Sequence, residues 1–264
     1  MDIHPSAIIS ESALIGKGTL IGAGALIEDG VVVGQNCKLA AYVVLRKGTV
    51  LGDAVTVDSF AVIGGEPQSL SFDSSIVSGV KIGDKVTLRE GCTVSRATVA
   101  GTSTTIGNGC YLMAKVHVAH DCVISNGVVL CNNVMLGEHV RVGEQAFLSG
   151  GVAVHQHCRI GTYAMVADLA SISADVPPYV MAGERNAAQG LNTVGLERGG
   201  FSRPELSDLK RCYRAVYFGA GNLKSKAEAA LREHEFARTA VGARFLSFFE
   251  SGQRGFILAG PEID

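Results

Sequence analysis

Tryptophan is absent from this 264-residue chain, and the aromatic residues together make up only 6% of it. A core of small aliphatics and glycine, repeated many times, is what that profile leaves. The formal net charge of −2 supplies no broad basic field, so nucleic acid is not expected as a partner. No apolar stretch approaches the length of a membrane span, so no transmembrane segment is expected either. The first residues, "MDIHPSAIIS", contain no basic region followed by an apolar run, and no secretory leader is expected. Seven cysteines are an odd number without paired C-x-x-C spacing, which points to free thiols in a reducing cytoplasm. What the chain has in quantity is glycine, with 33 residues.

The abundance has a period. An aliphatic residue recurs every six positions through Ile3, Ile9, Ile15, Ile21 and Ile27, and onward to Ile63. The phase restarts at Ile82 and runs unbroken from Ile106 to Ile172. The fifth position of each hexad is small or β-branched, as in Ala7, Val31, Cys110, Val116 and Cys122, and the second is often glycine. A period of six with a large aliphatic at one and a small residue at five predicts a left-handed parallel β-helix. Three short strands then make one triangular coil of about 18 residues, with positions one and five filling the interior. Cys37, Cys92, Cys110, Cys122 and Cys158 all fall at the inward fifth position, where they read as core filler rather than nucleophiles.

Two interruptions break the phase. "GGEPQSLSFDSSIVSGVK" (residues 64–81) is too long for a corner and is expected to project as a loop, and "AGTSTT" (100–105) is a second break. "DVPPYV" (175–180) is expected to stop the strand ladder, because proline cannot donate to it. Beyond it, "SRPE" (202–205) is a capping box that opens a helix. "LKSKAEAALREHEF" and "GARFLSFFE" read as further helices. The expected organisation is a solenoid over residues 1–190 and a small helical domain over 191–264.

The histidines concentrate in a few successive coils. With an 18-residue coil, the hexads that begin at Val118, Leu136 and Val154 stack on one face. His120, His139, His155 and His157 then share that face, and His117 sits at the corner leading onto it. A solvated solenoid face carries polar residues anyway, but four imidazoles about 4.8 Å apart per coil form a compact cluster. Such a cluster suits either Zn²⁺ ligation or general-base chemistry near neutral pH.

The segments "HVAHDC" (117–122), "GEHV" (137–140), "AVHQHC" (153–158), "DVPPYV" and "GLERGGFSR" (195–203), with "FLSFFE" in the tail, resemble the UDP-N-acetylglucosamine O-acyltransferase family of lipid A biosynthesis. The resemblance spans nearly the whole chain. It implies a cytoplasmic homotrimer that moves a 3-hydroxyacyl chain from acyl carrier protein to the sugar 3-hydroxyl, without a cofactor or a metal. Position by position it makes His120 the general base and Asp121 its orienting partner. Gln68, His117, His139, His155, Gln156, Asn192 and Arg198 match substrate-binding positions. Backbone N–H groups at Gly137 and Glu138 match an oxyanion site, and Met165 and Asp168 fall where acyl-chain length is set.

The sequence also departs from the family. Ser69 and Ser71 replace an acid and a lysine of the projecting loop, "SRAT" (95–98) replaces "H-R-G-T", and Glu138 stands where glycine is usual. Val194 and Gly199 replace charged residues of the nucleotide site. These departures leave His120 in place and bear on the acceptor. The alternatives they keep open are N-acylation of a 3-amino UDP-sugar, a zinc-dependent carbonic-anhydrase-like activity on the same fold, and a non-catalytic homologue.

Overall fold

The computed structural model describes residues 2–260. Strands mostly two residues long stack into three parallel sheets, which form the faces of a prism. Each strand pairs with one a whole coil away: Ile3 lies beside Ile21, and His117 beside Met135, 18 residues on in each case. This is the expected left-handed parallel β-helix. The inward alternation is also as read, with Val116, Val118, Cys122, Val128 and Leu130 fully buried. The five cysteines at fifth positions are buried free thiols. Burial pushes Cys92 and Cys158 up to about 11 and Cys122 to about 12, away from thiolate chemistry.

Glycine serves two slots of the hexad, of which the sequence reading found one. At the second position a Cβ on Gly34 would drive into the Gly52 carbonyl of the next coil. At the fourth position the chain turns a corner with positive φ, as in Gly18 (78°) and Gly24 (65°). Non-glycine residues take the same conformation there, among them Asn36, Tyr42, Asp121, His139 and His157. The interior also admits threonine at the fifth position. Thr19 donates to the Gly34 carbonyl at 2.9 Å, so its buried hydroxyl is satisfied.

Three expectations need correction. The projecting loop is shorter than 64–81, because Val62–Gly65 and Gly79–Ile82 are strands paired into the faces on either side of it. Most of "AGTSTT" is likewise strand, since Ser103–Ile106 pairs with Gly79–Ile82. "DVPPYV" does not end the ladder. The two prolines occupy a corner where no ladder donor is needed, and Val180–Gly183 resumes pairing beside Met165–Val166. Ala187–Leu191 then folds back antiparallel, adding a further strand to the same face.

The tail holds α1 (Thr193–Arg198), α2 (Arg203–Tyr217), α3 (Leu223–Arg232) and α4 (Ala240–Ser247). The Ser202–Glu205 capping box forms as read, whereas α1 was not foreseen. Leu209, Val216, Phe245 and Phe249 are buried between these helices. The tail is also strapped to the solenoid. Arg159 donates to Asp175 at 2.7 Å, to the Phe248 carbonyl at 3.1 Å and to the Ser251 carbonyl, and it stacks on Phe248. Leu258–Ala259 finally returns as a strand beside Ala187–Leu191. No helix of the described residues is long and apolar enough to cross a membrane.

Candidate active site

Four parallel strands, His117–Val118, Met135–Leu136, Ala153–Val154 and Ser171–Ile172, build the wall of a cleft of about 410 Å³. Their first residues alternate outward, so His117, Met135, Ala153 and Ser171 form one column facing it. Gln68 reaches the cleft from the projecting loop, and His120, Gly137, Glu138 and His155 line it from the strand ends. The histidines therefore do not share one face, as their hexad positions had implied. His117 lies within a strand, while His120, His139 and His157 occupy the corner beyond it. There the His139 and His157 rings stack at 4.7 Å and the His120 ring meets His139 edge-on at 5.5 Å.

His120 and Asp121 form a bonded pair. Asp121 Oδ2 lies 2.8 Å from His120 Nδ1 and accepts the Thr98 hydroxyl at 2.6 Å and the Thr98 N–H at 3.2 Å. The Asp121 N–H donates to the interior hydroxyl of Thr104 at 2.8 Å, which fixes its left-handed corner from inside the coil. Burial works to raise the Asp121 pKa, but the hydrogen bonds from Thr98 and His120 outweigh it and hold the carboxyl below its ordinary range. An ionised carboxylate only accepts, so the neutral His120 ring carries its proton on Nδ1 and has Nε2 as its acceptor. That nitrogen lies 4.0 Å from Glu138 Oε1, a cleft-lining oxygen. Burial lowers the His117 pKa and, with smaller opposing charge effects, that of His139. His117 Nδ1 is fixed by the Thr93 hydroxyl at 2.7 Å.

Other expected site residues are placed elsewhere. The Gly137 N–H donates to the Val154 carbonyl at 2.8 Å, so ladder pairing withdraws it from any oxyanion role. Gln156 is exposed at the corner outside the cleft lining. Asn192 caps α1, accepting from Gly195 N–H and donating to the Tyr163 carbonyl at 3.0 Å. Arg198 is exposed at the end of that helix. Met165 sits in a strand of another face, and Asp168 is at the corner after it, accepting from Gly150 N–H at 3.0 Å. Within one chain these residues do not line the histidine cleft.

Sequence reasoning missed four participants. Ser95 and Arg185 line the cleft. Thr98 holds Asp121, and Arg254 lies 3.0 Å from His155. "SRAT" flagged the neighbourhood of Ser95 and Thr98. Nothing in the hexad pattern connects Arg254 to His155, which stand 99 positions apart.

Ligand atoms of His120, Asp121 and His139 lie within 4.8 Å of one another, close enough to suggest a metal site. The donors, however, are committed to each other. Asp121 already takes bonds from Thr98 and His120, and His139, whose Nε2 lies 3.9 Å from Asp121 Oδ2, has its ring stacked on His157. The set does not fit a preformed three-histidine zinc centre.

Comparison with known proteins gives the family. A family model described as UDP-N-acetylglucosamine O-acyltransferase, domain 2, matches residues 175–257, and the hexapeptide-transferase model matches residues 12–47 and 103–138. The acyl-[acyl-carrier-protein]–UDP-N-acetylglucosamine O-acyltransferase of Thermodesulfovibrio yellowstonii is 39% identical, over 96% of this chain and 98% of its own. The chain belongs to this acyltransferase family. The Rhizobium leguminosarum acyltransferase of the same name is 37% identical, over 93% of this chain and 90% of its own. The solved UDP-N-acetylglucosamine acyltransferase of Francisella novicida superposes with a TM-score of 0.92 at 33% identity, covering 98% of this chain and 94% of that one. The Bacteroides fragilis acyltransferase gives 0.91 at 34% identity, covering 97% and 99%.

Proposed function

We propose that the protein transfers a 3-hydroxyacyl chain from acyl carrier protein to the 3-hydroxyl of UDP-N-acetylglucosamine, the first step of lipid A synthesis, with His120 as general base. The observation that carries this reading is the 2.8 Å contact of Asp121 Oδ2 with His120 Nδ1 beside the cleft, which makes Nε2 the acceptor of the neutral ring. Nε2 takes the hydroxyl proton as the sugar oxygen attacks the thioester carbonyl, and Asp121 stabilises the imidazolium. The Glu138 N–H, one position beyond the committed Gly137, is the donor placed for the thioester oxyanion. Collapse of the adduct expels the carrier thiolate, which recovers the proton from His120. His117, His155 and Gln68 position the acceptor.

Asn192 and Arg198 join the site in this reading only from a neighbouring subunit, which makes the working unit a cytoplasmic homotrimer. Arg198 offers the planar donor fork suited to a nucleotide phosphate, and Met165 with Asp168 bounds the acyl chain. The second reading, N-acylation of a 3-amino sugar, draws on the paired hydroxyls of Ser69 and Ser71, 3.3 Å apart where charge is usual. An assay with hydroxyacyl carrier protein and each of the two UDP-sugars, on the intact protein and His120→Ala, tests both. Transfer to UDP-N-acetylglucosamine that vanishes with His120 supports the first reading. Transfer only to the amino sugar supports the second, and turnover retained by the variant removes His120 from the mechanism.

A further inference from the structure

The guanidinium of Arg254 reaches the cleft-lining His155, with Nη2 3.0 Å from His155 Nδ1. A guanidinium only donates, so Nδ1 must accept and the ring proton must sit on Nε2. The same nitrogen lies 3.4 Å from the Gln156 carbonyl oxygen, which would draw the opposite tautomer. An N–H aimed at that oxygen would set its hydrogen against those of the guanidinium. The shorter, charge-assisted contact prevails.

Arg254 is anchored through the three residues that follow it. Asp175 N–H donates to the Gly255 carbonyl at 2.9 Å, and Ile257 N–H donates to the Asp175 carbonyl at 3.0 Å. Phe256 packs on Phe249 with ring centres 4.8 Å apart. Asp175 is in turn bound by Arg159, so the strap that docks the tail also delivers Arg254 to His155.

We propose that Arg254 is a positioning residue that locks His155 in its Nε2–H tautomer, so that His155 donates in the cleft while His120 accepts. Two imidazoles of one site thereby take complementary roles: a carboxylate on Nδ1 leaves His120 Nε2 bare, and a guanidinium on Nδ1 leaves His155 Nε2 protonated. His155 then hydrogen-bonds an oxygen of the acceptor sugar, an assignment that rests on the acyltransfer reading above.

Imidazole ¹⁵N spectra of the full-length protein, with His155 assigned through the His155→Asn variant, test the tautomer directly. The wild-type Nδ1 is expected to resonate as an unprotonated nitrogen, in Arg254→Lys also, and to move towards the protonated form in Arg254→Ala. In kinetics, Arg254→Ala should raise KM for the nucleotide sugar roughly tenfold with little change in kcat, and Arg254→Lys should recover most of it. A protonated Nδ1 in the wild type, or an unchanged tautomer in Arg254→Ala, overturns the proposal. A Tm shift with neither spectral nor KM change reduces Arg254 to a structural role and overturns it equally. If the wild type transfers no acyl chain, the acyltransfer reading fails, and the spectra still decide the tautomer.

Discussion

Asp121 turns its corner in a conformation that favours glycine (φ 59°) and keeps two Thr98 donors as well as His120. His120→Ala is expected to lower kcat by about 10²- to 10⁴-fold, the range of a lost general base, in a single-turnover assay. Acid should destabilise the protein in two stages. His117 and His139 have lowered folded-state pKa values, so the unfolded chain binds more protons as pH falls through the ordinary histidine range of about 6.5, and stability declines there. Asp121 is also depressed, so its contribution is present above the ordinary carboxyl value of about 3.9 and is lost as pH falls towards its lower folded value. Melts of His117→Gln and of Asp121→Asn across that range should flatten the upper and lower stages respectively. An unchanged pH profile in both would separate these groups from acid unfolding.

Among the elements, the projecting loop that carries Gln68 depends on one residue outside it. Arg96, 9% exposed, donates to the Ser74 and Ile76 carbonyls and the Ser78 hydroxyl, reaches Glu66 at 3.4 Å, and stacks on Phe72 at 4.7 Å. Arg96→Ala should expose the segment between Gly65 and Gly79 to protease and raise KM, while kcat stays within about threefold. Cleavage no faster than in the wild type would show that the loop holds its own shape. In the coil, Gly34→Ala should cost about 1–3 kcal/mol in denaturant unfolding, because its Cβ would meet the Gly52 backbone carbonyl, which cannot give way, as well as the Asp53 carboxylate. The corner glycines obey a different rule, and Gly30, with nothing within 4 Å of a built Cβ, is limited by φ alone.

The whole molecule is joined at Arg159 and Asp175. Asp175 is fully buried, and burial raises its pKa against the opposing pull of Arg159. Removing the guanidinium leaves a buried carboxyl without its partner. Arg159→Ala should therefore destabilise by about 3–5 kcal/mol, and Arg159→Ala with Asp175→Asn by less. The first variant should also lose the His155 tautomer, since the strap positions Arg254. At the level of assembly, sedimentation should give a trimer. Arg198→Ala subunits mixed with His120→Ala subunits should then recover part of the activity if the site is shared between neighbours. Failure of mixed trimers to recover any would place both residues in the work of one subunit.

The period of six determined the solenoid, its inward positions and the harmless cysteines, because each hexad repeats the same local rule and needs no distant information. The "HVAHDC" and "AVHQHC" segments likewise located the cleft-lining histidines within a few residues. The partners that face the Nδ1 atoms of His120 and His155 rest on residues remote in sequence, Thr98 behind Asp121 and Arg254 beside His155. The loss of the Gly137 N–H to the ladder follows from stacking one coil on the next, which the hexad letters do not express. The continuation of the sheet past Pro177 and Pro178 arose the same way, as the corner placed both prolines where no donor is required. Local repetition is written in the chain; hydrogen-bond partners brought together by stacking and by the returning tail exist only once it has folded.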